Sequence, residues 1–196
     1  SEARRSDVEL LVEAVRQDWR AIGHAASRDM RHNKAVLIEC LRQRWDLFES
    51  APEELRSDRD VAMEAVRQNG QAFQWIGESI CGDKEILLAA LEGPKEGPIL
   101  EYASEALRAD REVVLAAVRA RGTELKHAAV ALTADREVVL EAVASEGAAM
   151  QHATESLRSD RGFLREAVQR NFLALKYASP DLRNDRELRA LALAEG

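Results

Sequence analysis

The phrase Leu-Arg-Ser-Asp-Arg stands at 55–59 and again at 157–161, with Leu-Arg-Ala-Asp-Arg at 107–111. Each is followed by an apolar run. With the Asp as position zero, the register falls at Asp7, Asn33, Asp58, Asp83, Asp110, Asp135, Asp160 and Asp185. The intervals are 26, 25, 25, 27, 25, 25 and 25 residues. A period this short excludes one large mixed core. Each unit buries its apolar face only by stacking on the next, the arrangement of a helical repeat array.

The unit reads as two short helices. Asp at position zero accepts hydrogen bonds from first-turn amides and faces the positive end of the helix dipole. Ser57 and Ser159, one residue earlier, are alternative caps. Apolar residues follow at offsets three, four, five, seven and eight: Val113, Val114, Leu115, Ala117 and Val118 in the fifth unit. Offsets four, seven and eight share one helical face, and three widens it. Gly70, Gly122 and Gly147 at offset twelve are expected to close the helix in the left-handed conformation. A second helix is expected near 123–132, with Leu125, Ala128, Ala129 and Leu132 as its apolar marks. Strand signals are absent. The expected fold is an all-α, short α-solenoid of about seven 25-residue, two-helix repeats plus a C-terminal helix. It forms one array over 1–196, with repeats starting near 7, 33, 58, 83, 110, 135 and 160 and a partial repeat from 185.

The stretch LRADREVVLAAVRARGTELKHAA (107–129) resembles a tandem helical repeat family of algae and protists, catalogued as a domain of unknown function with the pattern LRxDREVVLAAVxxNGxALxYAS. The resemblance is closest in repeats three, five, six and seven. It implies tandem helical repeats and no catalytic residues. The occurrence of the family in unicellular algae implies a plastid or photosynthetic setting if a targeting peptide has been removed.

Composition narrows the function. A formal net charge of -7 disfavours a nucleic-acid partner, which needs a basic face. No stretch nears 18 apolar residues, so no membrane insertion is expected. The chain reads as soluble and intracellular. Cys40 and Cys81 form no CxxC and are read as reduced. His24, His127 and His152 share offset seventeen with Trp75, Tyr102 and Tyr177, which makes that slot a packing or rim position, not a zinc site. Carboxylates at offset two and arginines at offset one read as caps and solvated ion pairs, with a charged docking edge as the alternative. Phosphate-loop and nucleophile-elbow motifs are missing, so no catalytic residue, cofactor or metal is assigned.

Departures from the repeat mark the candidate sites. Trp19, Trp45 and Phe172 replace the offset-twelve glycine, as lids on atypical repeats or as exposed anchors for a partner. The fourth repeat gains two residues in LEGPKEGPILEYA (91–103). There Pro94, Lys95, Glu96 and Pro98 form either a binding loop or a neutral insertion. The expected function is a non-enzymatic protein–protein interaction or scaffold module. The alternative is a peripheral accessory or stabilising subunit of a large assembly, such as a photosynthetic membrane complex of an algal plastid. In both, the partner is another protein or protein complex.

Overall fold

The computed structural model describes residues 2–24, 32–93 and 97–195. They contain helices and turns and no strand. The fold is an all-α helical repeat. The residues group into two compact units, Ser1–Gly97 and Pro98–Gly196, with the division of the chain inside the inserted segment.

In the first unit the long helices are Glu2–Gln17, Lys34–Leu41, Arg59–Gln68 and Lys84–Glu92. In the second they are Arg111–Ala120, Arg136–Ser145, Arg161–Arg170 and Arg186–Glu195. The position-zero side chain starts nearly all of them. Asn33, Asp58, Asp83, Asp110 and Asp135 each accept from two first-turn amides. Asp185 accepts from Glu187 N and Leu188 N, and Asp160 from Phe163 N alone. Ser57 and Ser159 do not cap. They end the preceding short turn and place Oγ against Glu53 and Glu155. Asp7 departs from the expectation: the first helix runs through it from Glu2 to Gln17.

The apolar register is the one expected at four of its five offsets; Leu115 at offset five is half-buried. Offsets three, four, seven and eight are fully buried in the fifth, sixth and seventh repeats, as Val113, Val114, Ala117 and Val118 show in the fifth. In the first unit, Leu11, Val15, Val36 and Cys40 form one cluster, with Val8, Val12, Ala21, Ile22 and Leu47 against it. Each buried Val or Leu contributes about 1.5–3 kcal/mol, more than short helices gain from propensity alone.

The second helix of the repeat is not an α-helix. A 3₁₀ turn takes its place: Gly122–His127, with Gly70–Trp75, Gly147–His152 and Phe172–Tyr177 in the same position. Gly122, Leu125 and Ala128 recur every three residues, which suits three residues per turn. An extended residue such as Ala128 (ψ 154°) follows. A single α-turn then leads to the next repeat: Glu53–Arg56, Glu105–Arg108, Glu155–Arg158 or Pro180–Arg183.

The offset-twelve glycines also differ from expectation. Among the described residues only Gly97, in the insertion, has positive φ (89°). The helix ends instead on an extended residue, Arg121 (φ −155°, ψ 115°) before Gly122. The glycine is required by proximity. A Cβ on Gly122 would lie 2.2 Å from Ala142 O, and one on Gly147 would lie 2.7 Å from Leu173 Cβ. Both contacts belong to the following repeat, so glycine marks where one repeat seats on the next.

Candidate functional site

Two ladders of ion pairs join successive repeats. In the first, the cation at offset one reaches the next repeat's cap and the acid two residues beyond it. Lys34 Nζ meets Asp58 Oδ1 at 2.7 Å and Asp60 at 2.6 Å. Arg59 pairs with Asp83 (2.8 Å) and Glu85, and Arg111 with Asp135 (2.9 Å) and Glu137. Arg161 pairs with Asp185 (3.0 Å) and Glu187 (2.7 Å). Arg136 differs from these four. Gly162 replaces the second acid, so Arg136 holds Asp160 alone (2.8 Å) and lies 5.0 Å over the Phe163 ring. These charges act between repeats and do not merely face water.

The Arg111 guanidinium holds the Asp135 carboxyl below its ordinary 3.8, aided by the capped amides and opposed by burial. A lowered folded pKa stabilises the fold above 3.8, and that contribution is lost as pH falls through the folded value. Asp135→Ala, which loses cap and clamp, is expected to cost about 1–2 kcal/mol at neutral pH. Arg111→Ala, at an exposed position, is expected to cost less than Asp135→Ala. Urea unfolding above and below pH 3.8 checks both, and the Asp135 effect shrinks in acid.

The second ladder was not read from the sequence. It joins Arg at offset nine to Glu at offset six of the next repeat. Arg16 meets Glu39 at 3.3 Å, Arg42 meets Glu64 at 3.4 Å, and Arg119 meets Glu141 at 2.9 Å. In the third repeat the cation is Arg67, but offset six of the fourth is Ala89. A groove of about 450 Å³ lies there, with Met63, Leu88 and Ala89 among its lining, between Arg67 and Glu85.

The candidate anchors fall in different settings. Trp19 is half-buried, its amide donating to Gln43 Oε1 at 3.1 Å. The guanidinium carbons of Arg20 and Arg44 lie 5.4 and 5.1 Å from its ring centroid. Arg44 also pairs with Asp46 at 2.6 Å. Trp45, next to Arg44, is half-buried and stacks on Trp75 with centroids 5.5 Å apart and 26° between planes. Trp75 thus joins the row that Trp19 and Trp45 begin in the first unit. In the second unit Phe172 is 41% exposed beside Leu173, which is 51% exposed. Pro98 is half-buried. Pro94, Lys95 and Glu96 lie outside the described residues.

The insertion is matched by a carboxylate in the next repeat. Offset fourteen holds Ala72, Ala149 and Ala174, but Glu124 in the fifth repeat. The regular amide at that offset donates to the carbonyl three residues back: Ala72 to Asn69, Ala149 to Glu146 and Ala174 to Asn171. After the insertion Ile99 takes this place. Its amide donates to Glu124 Oε1 at 2.9 Å, and the Leu100 amide donates to Oε2 at 3.0 Å. Glu124 is 2% exposed. Burial pushes its carboxyl above the ordinary range, opposed by the two amides and by Arg121 and Lys126. This carboxylate braces backbone.

The histidine slot is partly a rim position, with Tyr102 42% exposed, and the surroundings of His24 lie outside the described residues. Both His127 and His152 are half-buried, and burial lowers their pKa values, with Lys126 adding to it. His127 Nε2 lies 3.7 Å from Glu101. Among the described residues no group of three His, Cys, Asp or Glu is placed to hold a metal. Cys40 and Cys81 are free thiols, and burial pushes the Cys40 thiol up to about 11.

The profile of a family described as a domain of unknown function (DUF4116) matches at residues 33–81, 58–95, 83–132, 135–183 and 161–189. Together these overlapping matches span more than half of the chain. The chain belongs to this family. The starts of the DUF4116 matches at 33, 58, 83 and 135 coincide with helix-capping residues, so family unit and structural repeat share one register. No curated protein and no solved structure matches the chain. Among the described residues, no helix is long and apolar enough to cross a membrane.

Proposed function

We propose that this chain is a non-enzymatic protein-interaction module whose stacked repeats present a fixed surface to another protein. The observation that carries this reading is the aromatic–arginine row of the first unit, Trp19 under Arg20 and Arg44 with Trp45 on Trp75. Tryptophan and arginine dominate interface energetics because they bring large, rigid contact area and directional donors. Here Trp19, Trp45 and Trp75 are half-buried and already held by their ring and guanidinium contacts, so less side-chain freedom is lost on docking.

Capture from cell extract with Trp19→Ala and Trp45→Ala tests the row. Each variant is expected to lower partner recovery while remaining folded. The lost Trp45–Trp75 stack costs only about 0.5–1.5 kcal/mol beyond area burial. Undiminished recovery with both variants removes the row from the interface. Native fractionation separates the two forms of the reading: comigration with a large complex favours the peripheral accessory subunit, in a plastid or elsewhere, and a small species favours a free scaffold.

A further inference from the structure

We propose that the groove between helices Arg59–Gln68 and Lys84–Glu92 docks a peptide segment of a protein partner, one that places a single carboxylate beside apolar residues. The proposal rests on the interaction-module reading and names its contact. The second ladder provides the internal control. At three junctions the arginine at offset nine is matched by a glutamate of the next repeat, Glu39, Glu64 or Glu141. At the fourth, Ala89 stands in that place, and the exposed Arg67 side chain has no ion pair or hydrogen bond among the described residues.

The missing carboxylate leaves both a charge and a volume to fill. Met63, Leu88 and Ala89 are half-buried and supply apolar contact on one side of the chain's own ion pairs. Glu85 is held by Arg59, so it does not satisfy Arg67. Glu92, an exposed acid of the same lining, repels a run of acids. One carboxylate flanked by apolar side chains fits; a polyacidic stretch does not. The arginine–carboxylate contact adds direction to the apolar contact.

The test uses the whole chain and two short amphipathic peptides, one with a Glu between two Leu residues and its Glu→Gln counterpart. The Glu peptide is expected to shift the methyl signals of Met63 and Leu88, and the Gln peptide to bind about threefold more weakly. Ala89→Glu, which rebuilds the pair seen at the other junctions, is expected to keep the thermal unfolding temperature and lose binding. Arg67→Ala, at an exposed position, serves if Ala89→Glu does not fold. The proposal is overturned if neither peptide moves those methyl signals, if both bind equally, or if the variants bind like the parent chain. A partner recovered equally by the parent and Ala89→Glu would overturn the groove and leave the interaction-module reading standing.

Discussion

Glu124→Ala is expected to lower the stability of the second unit by about 3 kcal/mol. The substitution restores the residue found at offset fourteen in other repeats, so a consensus argument predicts the opposite sign. The structure decides between them. Ala72, Ala149 and Ala174 have amides that bond within their own turn, whereas the Ile99 and Leu100 amides bond to Glu124. Ile99 is 3% exposed and Leu100 fully buried, so water does not replace the lost acceptors. Each buried donor without a partner costs about 1–3 kcal/mol. Glu124→Gln keeps one oxygen and removes the buried charge, so it falls between Ala and the parent. Urea unfolding followed in the second unit ranks the three. Equal stability of Ala and parent would mean that the insertion holds its own backbone.

Gly122→Ala is expected to cost about 3 kcal/mol, while Gly162→Ala raises stability by about 0.5 kcal/mol. The same chemical change meets opposite surroundings. At Gly122 the new methyl lies 2.2 Å from a backbone oxygen of the next repeat, and a helix must shift to admit it. At Gly162 it lies 3.3 Å from Asp160 Oδ1, on the exposed face of a helix, where alanine has the better propensity. Thermal unfolding of the pair separates contact at the repeat junction from a helix-ending role. A small cost at Gly122 would return that glycine to the role of a cap.

The period and the cap were legible because they are local. Asp at position zero and valine or alanine at offsets three, four, seven and eight are enough to place a helix and its buried face. The 3₁₀ turn was less legible, since Leu125, Ala128 and Leu132 fit spacings of three and four equally well. The glycine role was misread because its neighbour, Ala142, lies twenty residues away and belongs to another repeat. The second ladder was hidden for the same reason: Arg16 with Glu39 and Arg119 with Glu141 pair across junctions. Yet Glu124 and Ala89 were visible as departures within their columns. What the sequence lacked was the geometry that gives each departure a partner, the Ile99 and Leu100 amides for one and the open Arg67 for the other. Trp19 and Trp45 were readable as candidates, but their joining through Arg44 and Trp75 required the fold.

Site-specific photo-cross-linking tests the central claim, that this repeat surface exists to hold another protein. A photoreactive residue is placed at Trp45, Leu88, Phe172 and, as a control, the exposed Val130, and the chain is incubated in cell extract before mass spectrometry. One discrete protein partner is expected, cross-linked from Trp45 and Leu88 in the first unit and not from Val130. Adducts that are equally frequent and equally diverse at all four positions, or absent from all four, would contradict it.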